Sequence, residues 1–191
     1  MIRPHAWLIA AFAWGVAEAT LFFIVPDVIL SFIALRRGPR DGLRAALAAA
    51  LGASAGGIVM YLWSSAAPHA AHAAVSAVPA INEHMIAAAQ AAMSAHWFTA
   101  TMLGPLTSTP FKVYAILAPQ AGAPLWAFAI GAVFARLPRF VLAVLAVSVI
   151  APVLRRRLSA RALHIVLAVF WVVFYTYFFL RMPSGDAIAP Y

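Results

Sequence analysis

Five side chains stand out because their chemistry does not suit their surroundings: Glu18, Asp27, Lys112, Arg136 and Arg139 each sit inside or beside a long apolar run. An ionisable group at the centre of a bilayer costs roughly 2.5–3.5 kcal/mol on insertion scales, so such groups face a protein interior or a water-filled cavity. Two acids and three bases suit two kinds of work. Arginine stays charged and grips a phosphate through two parallel hydrogen bonds, while membrane-depth carboxylates serve as proton relays. Arg136 and Arg139, three residues apart, share one helix face. Mutual ion pairing that fixes helix packing is the competing reading. Buried pairs add little net stability, and the bases outnumber the acids by one, which leaves a positive charge for an anionic ligand. Both readings stand on the residues alone.

These residues must be positioned by membrane helices. The chain has 191 residues, 65% hydrophobic and 9% charged, with a mean hydropathy of +0.95. That composition lies outside the range of soluble domains, and runs of about 20 apolar residues, enough to cross a bilayer, recur along it. The opening run lacks a short h-region and a convincing small-residue cleavage site, so a cleaved signal peptide is not expected there. With no cysteine, disulfides, thiolate chemistry and cysteine metal sites are excluded. The net charge of +8 is bunched at the ends of apolar segments, as in anchors to an anionic leaflet and not as in nucleic-acid surfaces.

Two proline breaks organise the order of elements. An apolar helix is expected over His5 to Val25, ending at Pro26, which removes an N–H and disfavours helix in the residue before it. Asp27 to Leu35 then offers only about 14 Å of helix, too short to cross. The stretch around Thr107, Ser108, Thr109, Pro110 and Lys112 repeats this pattern, with a short arm to Ala118. Gly38 follows Pro26, and Gly122 follows Pro110, at the same twelve-residue interval, and an apolar helix succeeds each glycine. The spanning helices are expected over Gly42–Trp63 and Pro124–Ile150, with a last one over Leu163–Leu180 whose aromatic end suits a headgroup belt. Gly52, Gly56 and Gly57 allow close helix approach.

No lysine or arginine occurs from Ala45 to Phe111, and the connecting loop carries His69, His72, His84 and His96 instead. The positive-inside rule puts that loop outside the cytoplasm and puts Arg36–Arg44 and Arg155–Arg161 inside it. The histidine spacings form no metal motif, and no metal or other cofactor is expected. Asn82 caps a helix from Glu83 to about His96.

The fold class expected is an all-α integral membrane protein, a single polytopic domain over 1–182 followed by a polar tail, 183–191. It would be built as an inverted repeat of re-entrant hairpin plus transmembrane helix, about 5–66 and 82–151, with an additional C-terminal helix at about 162–181. Broken helices of inverted repeats meet near the midplane in transporters, and the site lies at their interface.

At this point the chain resembles a family. Glu18, an apolar stretch to Pro26-Asp27, then an apolar arm to a basic turn and Gly38 resembles the first signature of the DedA family, within the wider VTT, or SNARE-associated, membrane proteins. The glycine that the family places between proline and acid is missing here, and the glutamate-to-acid spacing is shorter. Pro110-Phe111-Lys112 with Ala118-Pro119 and Gly122 resembles the second signature, with Leu106 near where the family has a further basic residue. The resemblance, over roughly residues 14 to 150, implies two inverted re-entrant hairpins. It also implies movement of phospholipids or polyprenyl-phosphate carriers between leaflets, dependent on the proton gradient in bacterial members.

The expectation is therefore a lipid transporter of the bacterial inner membrane, not an enzyme, whose partners are membrane lipids with an anionic phosphate headgroup. Lys112, Arg136 and Arg139 would bind the phosphate, Glu18 and Asp27 would couple to protons, and Pro26 and Pro110 would break the helices. The alternatives are a membrane-embedded enzyme acting on a lipid phosphate, with His69 and His72 as its candidate pair, and a non-transporting assembly protein. Self-association is left open.

Overall fold

A computed structural model describes residues 5–104 and 109–181 of the chain. Leu106, Thr107, Ser108 and the tail from Pro183 lie outside the described residues. Eight helices order the described chain: α1 (Ala6–Ala19), α2 (Asp27–Arg37), α3 (Pro39–Ala66), α4 (Pro68–Ser76), α5 (Glu83–Leu103), α6 (Phe111–Leu117), α7 (Leu125–Leu154) and α8 (Ala160–Arg181). Three of them, α3, α7 and α8, are long and apolar enough to cross a membrane. The protein is all-helical and membrane-type by that measure.

Proline sets many of the starts. Pro26, Pro110 and Pro124 immediately precede α2, α6 and α7, and Pro39 and Pro68 are the first residues of α3 and α4. The fixed φ and missing N–H cost nothing in a first turn, whose N–H groups have no intrahelical partner. The repeated interval also ends alike. Gly38 and Gly122 have φ of +90° and +70°, a left-handed backbone that glycine takes without strain, and the long helices α3 and α7 begin within three residues.

α3 is the central element. It packs against α1, α2, α4, α6 and α7, and much more of it is buried than of α7 or α8. Its small residues permit this. A Cβ on Gly52 would strike the Phe12 carbonyl, and one on Gly15 of α1 would strike the Ala49 carbonyl, so α1 and α3 touch backbone to backbone. Gly57 makes room for the Phe111 ring, whose atom would lie 2.9 Å from an added Cβ. Side chains of α3 also satisfy groups on its neighbours: Ser54 donates to the Ala129 carbonyl, Ser64 to Ile116 and Tyr61 to Ala123, at 2.7, 2.6 and 2.8 Å.

Several expectations need correction. The first helix stops at Ala19, not Val25. Thr20 turns its hydroxyl onto the Val16 and Ala17 carbonyls, and the following backbone finds partners on other helices. The histidine-bearing loop contains a helix, α4, and His69 and His72 lie on it. As expected, Asn82 caps α5 through its side chain, which accepts from the Met85 N–H at 2.8 Å. α5 then continues past His96 to Leu103, with a non-helical break at His96 itself. α8 leans on the bundle through α2 and a small cluster of Leu35, Ala151 and Leu163. Its outward residues Val169, Val172 and Val173 are exposed, as are Ile130 and Val149 of α7, the surface hydrocarbon chains would cover.

Candidate functional site

The five charged residues come together in one layer. Glu18 ends α1, Asp27 opens α2, Lys112 lies in α6, and Arg136 and Arg139 flank Pro138 inside α7. Glu18 and Arg136 form an ion pair with relative exposures of 4% and 2%. The Arg136 guanidinium also sits 5.7 and 5.1 Å from the ring centres of Phe111 and Phe140, a desolvated cation between two aromatic faces. Arg139 approaches one oxygen of Asp27 twice, with Nε at 2.9 Å and a terminal nitrogen at 2.7 Å. As the first residue of α2, Asp27 also lies where a helix dipole favours a carboxylate. Its Oδ1, like Nε of Arg136, is buried with no hydrogen-bond partner among the described residues.

Lys112 is the cation left over. Its ammonium donates to the Phe22 carbonyl at 2.6 Å, and among the described residues no carboxylate lies in salt-bridge range of it. The layer holds two negative and three positive groups, +1 in sum. Arg139 differs from Arg136 in access, with a side chain 39% exposed against 2%.

The break between α1 and α2 is held by side chains from three helices. Trp14 of α1 donates to the Ile24 carbonyl at 3.0 Å, Lys112 of α6 to Phe22, and the Val25 N–H donates to the Tyr175 hydroxyl of α8 at 2.9 Å. Non-helical backbone away from water needs such partners, because each unsatisfied group costs several kcal/mol. Trp171 of α8 reaches Ser31 of α2 at 2.9 Å. Sequence reasoning placed the α8 aromatics in a headgroup belt. Trp171 and Tyr175 instead turn inward, and the available signal was their spacing of four, one helix face, each with an apolar body and a polar tip.

Two cavities meet at this layer. The smaller, about 230 Å³, is lined by Glu18, Lys112, Arg136 and Arg139 and extends to Val78, Pro79 and Ala80 in the turn between α4 and α5. The larger, about 480 Å³, runs between α2, α7 and α8 from Asp27 and Arg139 down to Leu154 and Leu163. Arg139 and Phe174 line both. The arrangement can hold an anion against Lys112 and Arg139, the two cations that line the smaller cavity without being sealed off as Arg136 is by Glu18.

The structure thus gathers every charged residue singled out in the sequence, and places Pro26 and Pro110 at the starts of α2 and α6. The histidines lie elsewhere. His72 pairs with Glu83 at 3.4 Å on the α4–α5 surface, and among the described residues no group of three His, Asp or Glu is arranged to hold a metal. No protein-family profile, curated protein or solved structure matches the chain.

Proposed function

We propose that this chain is a lipid transporter of DedA type, moving an anionic phospholipid or polyprenyl-phosphate lipid between leaflets. The observation that carries the proposal is the charge layer with its surplus cation, placed where two cavities that together line α7 and α8 from Leu154 to the α4–α5 turn come into contact. A lipid crossing a bilayer needs charged partners for its headgroup at mid-depth and apolar room beside them for its chains.

The proposed architecture is an inverted pair of re-entrant hairpins, α1–α2 and α5–α6. α2 and α6 have 11 and 7 residues, about 16 and 10 Å, too short to cross. The Arg37 guanidinium lies 5.3 Å from the Trp7 ring, so α2 ends beside the start of α1, as an arm that turns back does. Arg155 donates to the Leu35 carbonyl at 2.7 Å, so the two basic clusters share one side, which the positive-inside rule makes cytoplasmic. Lys112 and Arg139 contact the phosphate. Glu18 and Asp27 carry the exchanged protons, Asp27 taking one up as Arg139 is drawn to the phosphate.

One observation favours a second reading. Glu18 and Arg136 are almost inaccessible and satisfy each other, as in a purely structural pair joining α1 to α7. Reconstitution into liposomes decides. The transporter moves a fluorescent anionic lipid between leaflets faster with a pH gradient than without, whereas an assembly protein leaves the rate at that of empty liposomes.

A further inference from the structure

We propose that the larger cleft is a binding site for one anionic lipid of the leaflet on the Arg155–Arg161 side, its chain in the cleft and its headgroup on the arginines at the α7–α8 turn. Below Arg139 the α7 wall is Ala143, Ala146, Val147, Ile150 and Leu154, and the α8 wall opposite is equally apolar. A lining of hydrocarbon alone stabilises neither water nor a phosphate, so the occupant there is a hydrocarbon chain. The fifteen helical steps from Arg139 to Leu154 rise about 22 Å, more than the roughly 15 Å of hydrocarbon in one leaflet. A chain entering at the turn therefore fits within the length of the cleft and ends beside Ala143–Val147.

The headgroup follows from what adjoins the end of the cleft in the chain. Leu154 and Leu163 bracket the turn that carries Arg155, Arg156, Arg157 and Arg161. Arg155 is committed to the Leu35 carbonyl, while Arg156, Arg157 and Arg161 are exposed and make no salt bridge among the described residues. Three such guanidinium groups, next in the chain to the residues that end the cleft, complement a headgroup of net negative charge better than a zwitterionic one. The cleft is one of the two cavities on which the transport reading rests, but its occupancy is a separate question, since a protein that moves nothing can still hold a lipid here.

The test is photo-crosslinking of the full chain in phosphatidylcholine nanodiscs doped with a phosphatidylglycerol or a phosphatidylcholine probe, each with a diazirine at the acyl-chain end. The phosphatidylglycerol probe is expected to label Ala143–Val147 and Phe170–Phe174 at least about fivefold more than the phosphatidylcholine probe. Ala146→Phe, which fills the cleft, should remove that labelling. The triple variant Arg156→Gln, Arg157→Gln, Arg161→Gln lies on the surface and should keep the labelling but lose the headgroup preference. Equal labelling by both probes in the unaltered protein means annular lipid only and overturns the proposal, as does labelling that Ala146→Phe leaves unchanged.

Discussion

The ammonium of Lys112 on α6 donates to the carbonyl of Phe22, 90 residues earlier in the break after α1, at 2.6 Å. A surplus cation and an interrupted helix thereby depend on each other. The cation gains an acceptor without a carboxylate to neutralise it, and the break gains a donor that no backbone neighbour supplies.

Lys112→Met should therefore cost stability as well as charge. Leaving the part-buried Phe22 carbonyl without its donor costs about 1 kcal/mol, which a lowered midpoint of thermal unfolding in detergent would register. Lipid movement should stop in the same variant. Full transport by Lys112→Met would remove it from the phosphate site.

Arg136 and Arg139 should separate in their effects. Arg136→Gln strands Glu18 in the interior, a loss of about 3–5 kcal/mol for a broken buried pair, and the double swap Glu18→Arg with Arg136→Glu should recover most of it. Recovery of transport along with stability in the swap would favour the structural reading of this pair.

Arg139→Lys, at a partly exposed pair, should change stability by no more than about 1 kcal/mol. It should slow lipid movement by about tenfold or more, because a lysine cannot reproduce the planar fork. An unchanged rate would move the phosphate site away from Arg139.

Glu18→Gln keeps the side-chain shape while removing its capacity to change charge. Lipid movement in this variant is expected to lose its dependence on the pH gradient. Retention of that dependence would leave Asp27 as the coupling acid.

The absence of cysteine makes topology directly measurable. Ala77→Cys, at an exposed position after α4, should react with an impermeant thiol reagent on intact cells, and Ser159→Cys in the α7–α8 turn only after permeabilisation. The reverse pattern would invert the assigned sidedness.

Much of this was legible in the sequence because membranes make polar residues conspicuous. Glu18, Asp27, Lys112, Arg136 and Arg139 stand out against hydrocarbon, and the prolines mark where helices begin. Their partners were not legible. That Glu18 meets Arg136 and Asp27 meets Arg139 depends on how α1 and α2 rotate against α7, which apolar runs without a clear periodic face do not specify. Trp14 and Tyr175 were missed because an aromatic residue in an apolar helix looks the same whether its polar tip meets a headgroup or a buried backbone group. The early end of α1 was missed for a related reason: the residues from Leu21 to Val25 carry no helix breaker of their own, and the break depends on distant side chains.

The Tyr175 hydroxyl on the Val25 N–H links two events that would otherwise be independent. α8 cannot swing away from α2 without exposing that N–H, and in hydrocarbon an exposed N–H is too costly to persist. Water must arrive as the helix leaves. Undocking of α8 and wetting of the helix break after α1 are thus one transition, fastened by a single aromatic clasp.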